Sequence, residues 1–320
     1  MLIDFTSRDI ATARKLNAIL DRLPRLRMKT MLGRTMLNLL LRIFEIYPML
    51  MPRRKGIRRQ LINADALGCN VPVRIFSPST PCVGVILDLH GGGWTIGNAR
   101  MSDRQNAKLA ADTGAVVVSI DYRLAISVPI SAQIDDCEAA AVWAINNIEA
   151  LFGTRRLMVK ASSAGAHLAA CMLLRLRDRL PNLDAFSGAV LYFGLYDFAG
   201  TQMVRNAGAE TLLLDATTVR ETLRLLTPKM TDDERRDPSI SPLYADLRSL
   251  PPALFVVGAE DMLLEDNREM EVRWRAANGN SQLLVAPESP HAFVRFKTPI
   301  AVKTEAFVNA WITRQLVYHV

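Results

Sequence analysis

A serine hydroxyl becomes a nucleophile when three things reach it: a base, an acid that orients the base, and donors for the charge that develops on the substrate. Val159-Lys160-Ala161-Ser162-Ser163-Ala164-Gly165-Ala166-His167-Leu168 reads as a short strand running into an alanine-rich helix, with Ser163 at the junction. There a serine sits on a strained turn with Oγ exposed, provided the residues two before and two after it are small, because strand and helix nearly touch. Ala161 and Gly165 meet that condition. Taken alone, Ser163 could equally be a helix N-cap. A second signal lies upstream, where His90-Gly91-Gly92-Gly93-Trp94 follows the apolar run 83–89. Three glycines let the backbone turn without Cβ obstruction and aim successive N–H groups at one point, as an oxyanion needs. The rival phosphate-loop patterns, Gly-x-x-x-x-Gly-Lys and Gly-x-Gly-x-x-Gly, do not occur there.

The base is found by elimination among four histidines. His319 is in the C-terminal tail, His90 belongs to the glycine loop, and His167 lies one helical turn beyond Ser163. His291 follows the run 282–286 in the loop Pro287-Glu288-Ser289-Pro290-His291-Ala292-Phe293, from which an imidazole can reach over a strand edge. The acid should end a strand between Ser163 and His291. The strand-like run 254–258 is followed by Ala259-Glu260-Asp261-Met262-Leu263, so Asp261 is the expected acid and Glu260 the alternative. Either could instead cap the helix expected from about Met262.

These residues need a scaffold, and the chain supplies one by alternation. Runs rich in Val, Ile and Leu predict strands at 57–63, 71–76, 83–89, 115–121, 157–161, 189–193, 253–258 and 282–286, the first two an antiparallel hairpin. Helical spacing predicts helices at 101–112, 132–149, 164–179, 262–278 and 301–316. That order predicts an α/β fold around a buried, mostly parallel sheet. Two segments fall outside it: residues 1–50, and a helical, charge-rich insertion at about 197–238. Both are expected to cap the carboxyl edge of the sheet in a catalytic domain spanning 51–320. Leu32, Met36, Leu39, Leu40, Ile43, Phe44 and Tyr47 recur at helical spacing among basic residues in the first segment. This predicts a cap helix with a solvated basic face, or one that rests weakly on a membrane surface.

With these motifs in place, the sequence resembles the hormone-sensitive lipase-like branch (bacterial family IV) of the α/β-hydrolases, which includes many bacterial carboxylesterases. His90 to Gly93 with Gly97 is similar to its oxyanion loop, Asp121-Tyr122-Arg123-Leu124-Ala125 to its strand-end signature, and Ser163-Ala164-Gly165 to its elbow. Ser241-Pro242-Leu243, Pro251-Pro252-Ala253-Leu254 and Val257-Gly258 through Asp261 to Leu263 resemble its acid strand, and His291-Ala292-Phe293 its base loop. The resemblance covers about residues 70–315. It implies an eight-stranded α/β-hydrolase sheet with a helical cap, and neither metal nor organic cofactor. Ser163 would be the nucleophile, His291 the base, Asp261 its orienting acid, and Gly92, Gly93 and Ala164 the oxyanion donors, with His90 and Gly91 supporting the loop. Trp94, Ile126, Leu195, Tyr196 and Phe293 stand near motif ends and are candidate pocket residues or simple core. Two motifs depart from the family. Its Gly-Asp-Ser elbow reads Ala161-Ser162-Ser163, and its Ala-Pro-Glu reads Ala125-Ile126-Ser127.

The expected reaction is hydrolysis of a small carboxylic ester through an acyl-enzyme; amide, carbamate or formamide hydrolysis would use the same residues. A small-molecule receptor is the reading of another class, since plant gibberellin receptors resemble this family but lack the catalytic histidine. His291 counts against it.

Composition bounds these readings. The chain has 320 residues, half of them hydrophobic and 22% charged, which excludes disorder and a small disulfide scaffold. Of the net charge of +7, residues 1–60 carry +10 and residues 61–320 carry −3. The basicity belongs to the N-terminal segment, and no zinc-finger, basic-zipper or RNA-strand pattern accompanies it, so no nucleic-acid partner is expected. Cys69, Cys82, Cys137 and Cys171 are widely spaced and read as reduced thiols of a cytoplasmic protein. The start lacks a signal-peptide pattern, and the apolar tract 31–51 is broken by Arg34, Arg42 and Glu45. Homodimers are common in families resembling this one, which makes a second copy a candidate partner that no feature of the sequence itself requires.

Overall fold

The computed structural model describes residues 3–22, 31–44, 54–208 and 211–318, with the side chains of residues 31, 37, 40–44 and 318 outside the description. Every residue of β3 (Val85–Leu89), β4 (Val116–Ile120) and β7 (Ala253–Gly258) is buried. Strands with no solvent face belong in the middle of a sheet covered on both sides. β1 (Ile57–Ala66) and β2 (Cys69–Pro78) are partly exposed and form an outer hairpin. Leu67 and Gly68 join them at positive φ, 52° and 75°, the conformation of a tight two-residue turn whose twist matches the strands.

β5 (Leu157–Ser162), β6 (Phe186–Tyr192) and β8 (Ser281–Ala286) complete an eight-stranded sheet ordered β1-β2-β4-β3-β5-β6-β7-β8. β2 is antiparallel to β1 and β4, and all other pairs are parallel. The eight expected strands are present. β1 runs past its apolar stretch because the hairpin register carries pairing on to Asp65 with Asn70 and Ala66 with Cys69.

One face of the sheet is covered by α4 (Ile130–Phe152), α5 (Ala164–Arg179) and α9 (Leu264–Asn278). Leu87, Val118, Val159, Leu191, Phe255 and Trp274 lie in that core. The other face is covered by α3 (Asp103–Thr113), α10 (Pro299–Tyr318) and α1 (Ser7–Asp21), around Ile86, Val117, Met158, Val190 and Trp311. The insertion between β6 and β7 holds α6 (Gln202–Asn206), α7 (Ala216–Leu226) and α8 (Asp232–Arg235). All four cysteines are free. Among the described residues no helix is long and apolar enough to cross a membrane.

The N-terminal helices differ from expectation in which face they bury. α1 lies beside the 287–293 loop, held by Arg14 to Glu288 at 2.8 Å and by Asn17 Nδ2 donating to Glu288 O at 2.9 Å. For α2 (Met31–Phe44) the expectation is a basic side turned to solvent. Instead Arg34 is 2% exposed and donates to Thr95 Oγ1 (2.8 Å) and Thr222 Oγ1 (2.7 Å), while Leu32, Met36 and Leu39 are 71%, 59% and 61% exposed. Two hydroxyls waiting at the helix seat offset the desolvation of the guanidinium, and Leu32, Met36 and Leu39 are left outside. The side chains of Leu40, Ile43 and Phe44, and all of Tyr47, lie outside the described residues.

Candidate active site

β5 ends at Ser162 and α5 begins at Ala164, so Ser163 is the whole turn between them. Its backbone is at φ 54°, ψ −122°, a region that costs a non-glycine residue on the order of 1–3 kcal/mol and that persists only where its surroundings impose it. The surroundings are tight. A Cβ on Gly165 would stand 2.3 Å from Leu89 O and 2.4 Å from His90 O, so only glycine lets α5 approach the end of β3.

Asp261 and His291 reach Ser163 from two neighbouring strand ends. After β7, Asp261 turns back, 1% exposed, with its Oδ1 accepting from Leu263 N at 3.0 Å. His291 follows β8 in a loop stitched to the acid turn by Glu260 N donating to Ser289 O at 3.0 Å. Gly258 permits that stitch, since a Cβ there would lie 1.9 Å from Ser289 O. His291 Nδ1 donates to Asp261 Oδ2 at 2.8 Å, and Ser163 Oγ donates to His291 Nε2 at 3.1 Å. The carboxylate on Nδ1 sets the tautomer that leaves Nε2 as acceptor. Phe193 packs edge-on against the imidazole, with ring centroids 4.8 Å apart. Glu260 is exposed and takes no part.

The glycine loop faces this chain of hydrogen bonds. A Cβ on Gly91 would lie 3.2 Å from Ser163 Cβ. Gly92 is at φ 137°, where a Cβ would meet Ile96 O at 1.9 Å. The loop is a tight turn, with Thr95 N and Ile96 N both donating to Gly92 O. Among the described residues, no hydrogen bond occupies the amides of Gly92, Gly93 or Ala164. His90 is 2% exposed and stacks on Tyr122 at 4.2 Å, and Tyr122 Oη donates to His90 O at 2.6 Å. Asp121 Oδ1 accepts from Ala99 N at 2.9 Å. The Asp121-Tyr122-Arg123 segment thus props the loop from β4.

The five candidate pocket residues go to different places. Tyr196 is fully buried with its ring edge-on to Phe255, and Phe293 is 1% exposed in the core beneath α10. Leu195 is also core, at 2% exposed. Trp94 packs against His167 and Phe198, and Ile126 keeps part of its surface exposed. Leu195, Tyr196 and Phe293 thus stand among core residues, the chain direction after β6 and β8 turning both rings inward.

Several contributors escape the sequence reading. On α2, Asn38 Nδ2 donates to Thr95 O at 2.8 Å while its Oδ1 accepts from Gly97 N at 2.9 Å, so one amide clasps the glycine loop from above. Arg34 holds Thr95 from the same side. The available signal is Arg34 and Asn38 four apart, on one side of a helix whose other polar residues are Thr35 and Arg42. Below the loop, Asp88 on β3 accepts from Asn106 (2.7 Å), Ser119 (2.9 Å) and Lys160 (3.0 Å). Burial works against the Asp88 charge, but Lys160, Asn106 and Ser119 outweigh it and hold the carboxyl below its ordinary value. Lys160, Asp88 and Ser162 border a cavity of about 60 Å³ that opens between α3 and α10, behind the Ser163 turn. Among the described residues no three His, Cys, Asp or Glu side chains gather as metal ligands would.

Comparison with known proteins places this geometry. The sequence profile of the alpha/beta hydrolase fold family matches residues 86–295. Carboxylesterase NlhH of Mycobacterium tuberculosis is 30% identical over 278 residues, covering 83% of this chain and 84% of that protein. The chain belongs to the hormone-sensitive lipase-like carboxylesterase branch of the α/β-hydrolases. Its fold agrees. An esterase from the bacterial hormone-sensitive lipase family superposes with a TM-score of 0.76 at 25% identity, covering 98% of this chain and 100% of the other. A hormone-sensitive lipase from a metagenome library gives 0.79 at 26%, covering 95% and 98%. In this α/β-hydrolase Ser162, the residue before Ser163, faces the cavity beside Lys160.

Proposed function

We propose that the protein hydrolyses carboxylic esters of short to medium acyl chain, or aryl esters, by way of an acyl-enzyme on Ser163. The observation that carries this is the unbroken run from Asp261 Oδ2 through His291 to Ser163 Oγ, with both links at hydrogen-bond distance. Ser163 Oγ attacks the ester carbonyl while His291 Nε2 takes its proton, and Asp261 stabilises the imidazolium. The oxyanion is received by the amides of Gly92, Gly93 and Ala164. Collapse of the tetrahedral intermediate expels the alcohol, which leaves with the proton held on His291. Water, deprotonated by the same nitrogen, then attacks the acyl-enzyme, and the acid departs as Ser163 recovers its proton. The names of the relatives, carboxylesterase and esterase, support the ester over the amide. α2 with the α6–α8 insertion forms the cap over this site.

The test is hydrolysis of a chromogenic ester series from acetyl to dodecanoyl by the wild type and by Ser163→Ala. Removal of the nucleophile should lower turnover by about 10⁶, to the level of the oxyanion donors alone. The dependence on acyl length gives the preferred chain. Equal rates for the two proteins would refute the mechanism.

A further inference from the structure

α2 buries Arg34 and leaves Leu32, Met36 and Leu39 exposed. Arg34 and Asn38 point into the body, onto Thr95, Gly97 and Thr222. Leu32, Met36 and Leu39, at i, i+4 and i+7, lie about 150° around the helix from that pair and form a single exposed strip. An exposed apolar strip in a cap helix is an unsatisfied surface, and the chemistry of its neighbours in the chain says what would satisfy it.

Residues 22–53 carry seven basic side chains, Arg22, Arg25, Arg27, Lys29, Arg34, Arg42 and Arg53, against Glu45 alone. Arg34 is spent inside the protein, which leaves six cations in the segment that presents the strip. Residues 61–320 are net negative at −3, so the excess of positive charge lies in residues 1–60, more than half of it in this segment. Apolar side chains within a cationic segment match a surface that is anionic outside and hydrocarbon beneath. A second copy of the chain would bring the same six cations against themselves and is disfavoured by repulsion.

We infer that α2 docks on anionic lipid membranes through Leu32, Met36 and Leu39. The docked surface lies one helix diameter, about 10 Å, from the loop that Asn38 clasps. The inference concerns binding and does not depend on the activity proposed for Ser163.

The test is flotation of the full-length protein with vesicles of phosphatidylcholine alone, and of phosphatidylcholine with one third phosphatidylglycerol, at low ionic strength. The wild type should float with the anionic vesicles only and be released by salt of about 0.5 M. The triple substitution Leu32→Gln, Met36→Gln and Leu39→Gln should cut the bound fraction at least about tenfold, with an unchanged unfolding midpoint. As a second reading, Leu39→Trp reports directly. The emission of the introduced indole should move to shorter wavelength when anionic vesicles are added, readable because Trp94, Trp143, Trp274 and Trp311 are all at least nine-tenths buried. Absence of flotation, equal flotation of the triple variant, or an unmoved emission of the Leu39→Trp variant while it floats with the vesicles would overturn the inference. So would sedimentation showing that the strip closes a dimer in place of binding vesicles.

Discussion

The indole Nε1 of Trp94 donates to Nδ1 of His167 at 3.2 Å, and the opposite ring nitrogen of His167 donates to Ile240 O at 2.7 Å. One neutral imidazole thus ties the glycine loop to α5 and to the insertion that precedes β7. A proton on Nδ1 would break the first bond.

Burial pushes the His167 pKa down from 6.5 to about 4. A depressed histidine favours the folded state fully above its unfolded pKa, and that contribution drains away as pH falls from about 6.5 towards 4, because the unfolded chain takes up the proton first. Between pH 7 and pH 5 the wild type should lose about 2 kcal/mol of unfolding free energy from this group. Urea titrations of wild type and His167→Gln at the two values check it. A drop of the same size in both proteins would show that other groups govern the acid side.

Asp261→Asn keeps the shape of the site and reverses the tautomer of His291, since an amide can donate to Nδ1. Turnover on a short ester should fall by about 10⁴ with little change in KM. A loss below tenfold would remove Asp261 from its role.

Asn38 touches no reacting atom, yet it fixes Thr95 and Gly97, which flank Ile96 where the loop's turn closes. Asn38→Ala should lower kcat by about 10- to 100-fold on an acetyl ester and leave KM nearly unchanged, as expected when the oxyanion amides lose alignment. An altered KM at constant kcat would instead assign Asn38 to substrate contact.

Lys160 holds the buried Asp88 charge. Lys160→Met alone should cost about 3 kcal/mol in chemical denaturation, because the carboxylate keeps its burial and loses its cation. Lys160→Met with Asp88→Asn should recover most of that. Additive losses in the double variant would contradict the pairing.

The parts of the molecule legible in advance are those where one residue type has no substitute. Gly165 and Gly258 each let two backbones come together where any Cβ would collide, and both stand inside recognisable motifs. The strands are legible because the sheet is buried on both faces, so β3, β4 and β7 carry almost nothing polar. Orientation is harder. Tyr196 and Phe293 follow strand ends just as Ser163 and His291 do, but their rings turn into the core, which depends on a few dihedral angles that composition does not record. The burial of Arg34 on α2 is not legible, for a different reason. Apolar periodicity locates a helix stripe, but Arg34 and Asn38 win the inner position through specific hydrogen bonds to Thr95, Gly97 and Thr222, partners distant in the chain.

The clasp of Asn38 on the glycine loop makes the amino-terminal arm a removable working part. A protease cutting between α2 and β1 would leave the sheet, the core beneath α4, α5 and α9 and the Asp261–His291–Ser163 line standing, and would let Arg34 and Asn38 part from Thr95 and Gly97. Such a clipped enzyme would stay folded and lose about as much turnover as Asn38→Ala, so a single nick could turn it down without destroying it.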